Sequence, residues 1–118
     1  MSDLPERLAR LRAAGGARLG DPVEAARAAA ADPFAELRLA IFRALADPNR
    51  FLIAELLRRH GPLSTTEIEA ALGVANATVS HHLRVLETAR VVVPERVERW
   101  TFWRLLAYPL VETLVPKA

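Results

Sequence analysis

Gly73 stands between two short stretches that both repeat at helical spacing, and this arrangement restricts the fold more than any other feature of the chain. Ahead of it, Ser64-Thr65-Thr66-Glu67 has the form of a capping box, in which the serine hydroxyl and the glutamate carboxylate reciprocally satisfy free backbone donors at a helix start. That helix is predicted to end near Leu72. After the glycine a second helix is predicted from about Asn76 to Ala89, with Val79, Leu83 and Leu86 facing inward at spacings of four and three. Two helices joined by a three- or four-residue glycine turn make a helix-turn-helix.

The flanks agree with that motif. Phe34, Leu37, Ile41, Ala44 and Leu45 lie on one helical stripe, and Asp47-Pro48 supplies an N-cap and first-turn proline for the next helix. This second helix runs to about His60, with Leu52, Ile53, Leu56 and Leu57 as its expected core face, and Gly61-Pro62 stops it. Downstream the period changes. Val91-Val92-Val93 and Trp100-Thr101-Phe102-Trp103 are β-prone, with Pro94 to Arg99 read as a charged reversal, so a two-stranded wing is expected. Pro109 is expected to open a last short helix that is apolar over much of its circumference.

The fold class expected is therefore mainly α with a small β-hairpin, a winged helix-turn-helix of about five core helices at 33–118. An N-terminal extension, partly helical, occupies 1–32. In that extension Leu4, Leu8 and Leu11 recur at helical spacing, Gly15-Gly16 interrupts, and Asp21-Pro22 is read as the start of a second helix to Ala31. The extension has few large apolar groups to pack it, so it is read as partly ordered or as docking onto a dimer interface.

With 118 residues the chain is about one domain, and no apolar run approaches the roughly 18 to 20 residues that cross a bilayer. Leu4 to Arg12 alternates charge with leucine, so no secretory signal is read and a cytoplasmic location without a membrane partner is expected. The chain contains no cysteine, which excludes disulfides, thiolate metal sites and thiol redox sensing. The net charge of +2 is modest. Residues 34–89 carry six basic and six acidic groups, and the surplus lies in 90–118, with five basic and three acidic.

Ala77-Thr78-Val79-Ser80-His81-His82-Leu83 carries the chemistry. Val79 and Leu83 anchor the helix, while Thr78, Ser80, His81 and Arg84 project from its other side near the N-terminal half. Short hydroxyls, an imidazole and a guanidinium suit hydrogen bonds to phosphates and base edges, and a helix N-terminus favours an anion. Taken alone, such a heptapeptide reads as polar surface on a packed helix. The capped short helix before it and the β-hairpin after it make double-stranded DNA the expected partner.

From about Phe42 to Leu105 the chain resembles the ArsR/SmtB family of winged-helix repressors. The resemblance rests on three segments in order: Ala44-Leu45-Ala46-Asp47-Pro48-Asn49-Arg50, then Ala71-Leu72-Gly73-Val74 through Thr78 to Leu86, then Arg99-Trp100 to Arg104-Leu105. It implies a homodimer whose first and last helices form the interface, which points to Phe34, Leu37, Ile41, Leu110, Val111 and Leu114. It also implies a repressor released by an effector whose identity the sequence does not disclose. Asn76 joins the DNA-contacting set, and Arg90, Arg96 and Arg99 are expected to hold the DNA backbone.

Several positions depart from the family pattern. Ala75 and Ala77 stand for usual serines, which leaves Asn76 as the expected helix cap. Glu69 replaces a small alanine, and Arg90 and Glu98 replace glycines. Non-glycine residues are costly at positive φ, so the wing is expected to turn differently. Glu95 and Glu98 offset Arg96 and Arg99, so fewer wing contacts and a smaller salt dependence are expected.

The family's metal ligands, cysteines on its third helix or Asp and His on its last, have no counterpart here. No metal and no cofactor are expected. His81 and His82 point about 100° apart on a helix, a poor geometry for a shared ion, and His60 reads as a favourable C-terminal group. Two alternatives stay open: a nickel- or zinc-responsive regulator with a His/carboxylate site, and a winged-helix interaction protein acting through a protein partner. No nucleophile triad, phosphate loop or carboxylate pair is present to suggest an enzyme.

Overall fold

The computed structural model describes residues 3–15 and 18–106. The expected last helix, with Leu110, Val111 and Leu114, lies outside the described residues. The chain divides into two compact units, Met1–Ala35 and Glu36–Ala118.

The first unit contains α1 (Leu4–Ala14) and α2 (Pro22–Ala31), as the leucine spacing and the Asp21-Pro22 pair predict. The Asp21 carboxylate accepts from the amides of Val23 and Glu24 at 2.8 and 3.3 Å. Neither helix buries a residue.

In the second unit, α3 (Ala35–Leu45) and α4 (Pro48–His60) meet at Asp47, whose carboxylate caps α4 by accepting from Asn49 and Arg50 at 2.9 and 3.1 Å. The helix-turn-helix follows as α5 (Thr65–Leu72) and α6 (Asn76–Thr88). Its capping box forms as expected: Ser64 accepts from the Glu67 amide at 3.1 Å and the Glu67 carboxylate accepts from the Ser64 amide at 2.9 Å. Gly73 closes α5 in the left-handed region at φ 68, where glycine carries no Cβ penalty.

The sheet is larger than the hairpin expected. β1 (Leu63–Ser64), β2 (Val92–Val97) and β3 (Trp100–Leu105) form three antiparallel strands in the order β1-β3-β2, with Leu63 opposite Trp103 and Val97 opposite Trp100. Pro94, Glu95, Arg96 and Val97, read above as part of a reversal, belong to β2, and only Glu98 and Arg99 make the turn. Proline is admissible there because β2 is an edge strand, so a missing N–H costs the ladder nothing on the open side. The wing also turns without its glycine. Glu98 sits at φ 55 and Arg90 at φ 61, so both replacements accept the positive φ instead of redirecting the chain.

One core lies beneath these elements, built from Ile41 and Ala44 of α3, Ile53 and Leu57 of α4, Ile68 of α5, Val79, Leu83 and Leu86 of α6, and Val91 and Val92 at the start of the wing. Each large aliphatic side chain so buried contributes about 1.5–3 kcal/mol. On α4 the buried face is Ile53, Ala54 and Leu57, while Leu52 is exposed. The stripe of α4 is thus rotated one position from the reading above, because it packs against β3 and α6.

Candidate nucleic-acid interface

The two faces of α6 have opposite tasks. Val79, Leu83 and Leu86 are no more than 1% exposed, and they fix the helix to the core. Thr78, His81 and Arg84 are exposed and follow one another at three-residue spacing, so they share the outward face, with Asn76 exposed at its N-terminal end. Ser80 is half-buried. His82, adjacent to His81, turns inward and is 8% exposed. The two imidazole centroids are 5.6 Å apart with planes at 51°, one facing out and the other in.

Asn76 has a different position from the one expected. The N-cap of α6 is Ala75, which makes no side-chain cap, and Asn76 is the first helical residue. Its Nδ2 donates to the Glu69 carboxylate of α5, and its Oδ1 accepts from Ser80 Oγ at 3.5 Å. Both ends of the amide are therefore engaged within the protein. Asn76 braces α5 against α6, and Glu69, the residue that departs from the family's alanine, is its partner. The signal for this was the unusual glutamate itself, seven residues away across the turn.

His82 is held from a third helix. Arg50 of α4 donates from Nε to the carbonyl of Ala44 at 2.6 Å and places Nη1 3.3 Å from His82 Nδ1. A guanidinium only donates, so Nδ1 accepts. No local pattern announces a contact between residues 32 positions apart.

At the wing, Arg96 Nε donates to the Glu98 carbonyl at 3.2 Å, and the Arg99 guanidinium lies 5.1 Å from the centre of the Trp100 ring. Both side chains are exposed, braced at the tip by their own hairpin. Arg90 is exposed where α6 gives way to β2. Trp103 joins the wing to the helix-turn-helix by donating from its indole N–H to Thr65 Oγ1 at 3.0 Å.

Of the expected interface residues, Ile41 is 1% exposed within the core of its own chain and is corrected from dimer contact to core residue. Leu37 packs partly against the same core, and Phe34, just before α3, is 62% exposed. Leu39 and Phe42, not singled out in the sequence, are exposed one turn apart on α3. Among the described residues no group of three or more His, Asp or Glu side chains is placed to hold a metal ion, and no helix is long and apolar enough to cross a membrane.

Residues 47–93, which run from the cap of α4 to the first residues of β2, match the family described as "Bacterial regulatory protein, arsR family". An uncharacterized HTH-type transcriptional regulator of Methanocaldococcus jannaschii is 33% identical over 66 residues, 56% of this chain and 74% of that protein. The HTH-type transcriptional regulator NmtR of Mycobacterium tuberculosis is 44% identical over 57 residues, 48% of this chain and 47% of NmtR, so the match spans about half of that relative. Among solved structures, a homodimeric winged helix-turn-helix DNA-binding domain from Mycobacterium bovis superposes with a TM-score of 0.62 at 26% identity, covering 72% of this chain and 80% of that one.

Proposed function

The chain belongs to the arsR family of bacterial regulatory proteins, and from that membership we propose that it is a homodimeric transcriptional repressor that reads double-stranded DNA with the outward face of α6. The observation that carries this reading is the division of α6 itself. Val79, Leu83 and Leu86 hold it rigidly, while Thr78, His81 and Arg84 stand free of the core on a helix that follows a capped partner and a left-handed glycine. A helix so presented fits a major groove, where a guanidinium reads guanine and hydroxyls reach base edges or phosphates.

Arg90, Arg96 and Arg99 bind the flanking phosphates in this reading, and Ser80 and Asn76 act by positioning the N-terminal turn of α6. The dimer is supported by the homodimeric relative and by Leu39 and Phe42, apolar side chains exposed together on α3. Leu37 contributes from the same helix, and Phe34, Leu110, Val111 and Leu114 complete the proposed interface. The protein acts in the cytoplasm and performs no catalysis.

The test is binding of the purified protein to a duplex from its own upstream region against scrambled DNA over a salt series. A specificity ratio above about 10³ is expected. His81→Ala combined with Arg84→Ala should bring the specific duplex down to the scrambled level while sedimentation still shows a dimer. Equal, weak binding to both duplexes by the parent protein would sink the proposal.

A further inference from the structure

Beside the reading face, α3, α4 and α6 enclose an open groove of about 580 Å³. Its floor is made of small apolar residues, Ala40 and Ala44 from α3 with Val85 from α6 and Ala89 at its C-terminal end, and their size is what leaves the space. Around it stand Arg43, Arg50, Arg84 and His81, and among the described residues no carboxylate lines it. Arg43 and Arg84 make no side-chain hydrogen bond or ion pair among the described residues, while Arg50 is tied to Ala44 and His82. The volume falls within the range of small-molecule sites, which combine an apolar lining with a few convergent polar groups.

We propose that this groove binds a small amphiphilic carboxylate, of the class of a medium-chain fatty acid, and that its binding releases DNA. The charge complementarity selects the head group: a carboxylate accepts paired hydrogen bonds from a guanidinium, and two unpartnered arginines face one space. The floor selects the tail, because an apolar chain covers alanine and valine surface that would otherwise meet water. The release follows from shared residues. Arg84 and His81 line the groove and also belong to the reading face, so ligand and DNA draw on the same side chains. The release half of the proposal rests on α6 being the DNA reader, and the binding half does not.

Calorimetry on the full-length protein without DNA tests binding, with octanoate as probe and octanol, acetate and inorganic phosphate as comparisons. Octanoate should bind saturably, and each comparison, lacking either head or tail, at least tenfold more weakly. Arg43→Gln removes a rim charge that is not on the reading face and should weaken octanoate about tenfold or more while leaving affinity for the specific duplex unchanged. Ala40→Phe should block octanoate by filling the floor and likewise spare DNA. With the parent protein, octanoate at ten times its dissociation constant should raise the apparent dissociation constant for DNA about elevenfold, the result for mutually exclusive ligands.

Absence of saturable octanoate binding overturns the proposal. So does phosphate binding as well as octanoate, or unchanged octanoate affinity in both variants. Octanoate that binds without displacing DNA overturns the release. Failure of the parent protein to select its duplex instead overturns the DNA-reading assignment and leaves the calorimetric result to decide the groove.

Discussion

Arg50 reaches across 32 positions to place its guanidinium 3.3 Å from Nδ1 of His82. The same side chain donates to the Ala44 carbonyl at 2.6 Å, so one arginine ties the end of α3, the start of α4 and the inner face of α6 together. The proposed reading helix is therefore oriented by a contact on its inner face. Arg50→Met keeps much of the aliphatic stem and removes every donor, leaving a part-buried imidazole nitrogen and a carbonyl without their partner. A loss of about 2 kcal/mol is expected, read as a lower urea midpoint at unchanged m-value. A midpoint equal to that of the parent would mean that water replaces the guanidinium without cost.

Among the described residues two non-glycine residues sit at positive φ, Arg90 at 61 and Glu98 at 55, where a Cβ crowds the backbone. Left-handed backbone costs a non-glycine residue about 1–2 kcal/mol, partly offset by the greater freedom that glycine loses on folding. Glu98→Gly should therefore stabilise the protein by roughly 0.5–1 kcal/mol. Arg90→Gly should stabilise it by a similar amount but weaken DNA binding at every sequence, since it also removes a proposed phosphate contact. Chemical denaturation and a DNA titration on the same two variants separate these effects; a destabilised Glu98→Gly would contradict the account of the turn.

Features set by neighbours in sequence were legible in it. Asp21, Asp47 and Ser64 cap the helices expected of them, and Gly73 ends α5 at the turn expected of it, because a cap or a turn depends on three or four adjacent residues. Features set by distant contacts were not. β1 is two residues long and exists only because Leu63 and Ser64 lie opposite Trp103 and Phe102. Leu52 is exposed and Ala54 buried because α4 packs against several elements at once, which no single helical stripe encodes. In the candidate site, the outward positions of Thr78, His81 and Arg84 followed from helical periodicity, whereas Ser80, grouped with them in the sequence, is half-buried. The engagement of Asn76 by Glu69 did not, since it spans the turn between two helices.

The acid limb of stability should report two carboxylates. Glu55 is held below its ordinary value of 4.5, first by the hydrogen bonds from Arg58 and then by Arg59, and Asp47 is held below 3.8, first by the backbone amide of Arg50 and then by that of Asn49. A carboxylate depressed in the folded state binds its proton more readily when unfolded. Its stabilisation is complete above the unfolded value and disappears as pH falls through the folded one. Urea midpoints should therefore stay level, as far as these groups decide, from neutral pH to about 5 and fall below about 4.5. Glu55→Gln should start lower at neutral pH and fall less steeply in acid. Parallel curves for parent and variant would exclude Glu55 as a source of the acid limb.

Glu69 places a carboxylate beside the first turn of α6, where the helix dipole and free backbone donors otherwise favour a phosphate. It has two separable effects there: its charge opposes the DNA backbone, and its hydrogen bond fixes Asn76. Glu69→Gln removes the charge but keeps an acceptor for the Asn76 amide. It should raise affinity for specific and scrambled duplexes alike by about threefold at low salt, leaving their ratio unchanged. Glu69→Ala removes both, frees Asn76 to turn outward, and should change the ratio as well. Arg99→Ala is the contrasting case, since loss of one proposed phosphate contact at the wing should weaken all sequences equally and reduce the slope of log affinity against log salt by about 1. The three variants measured on two duplexes over one salt series thus distinguish charge, positioning and backbone contact. Identical behaviour of Glu69→Gln and Glu69→Ala would mean that the bond to Asn76 has no part in how the helix reads its site.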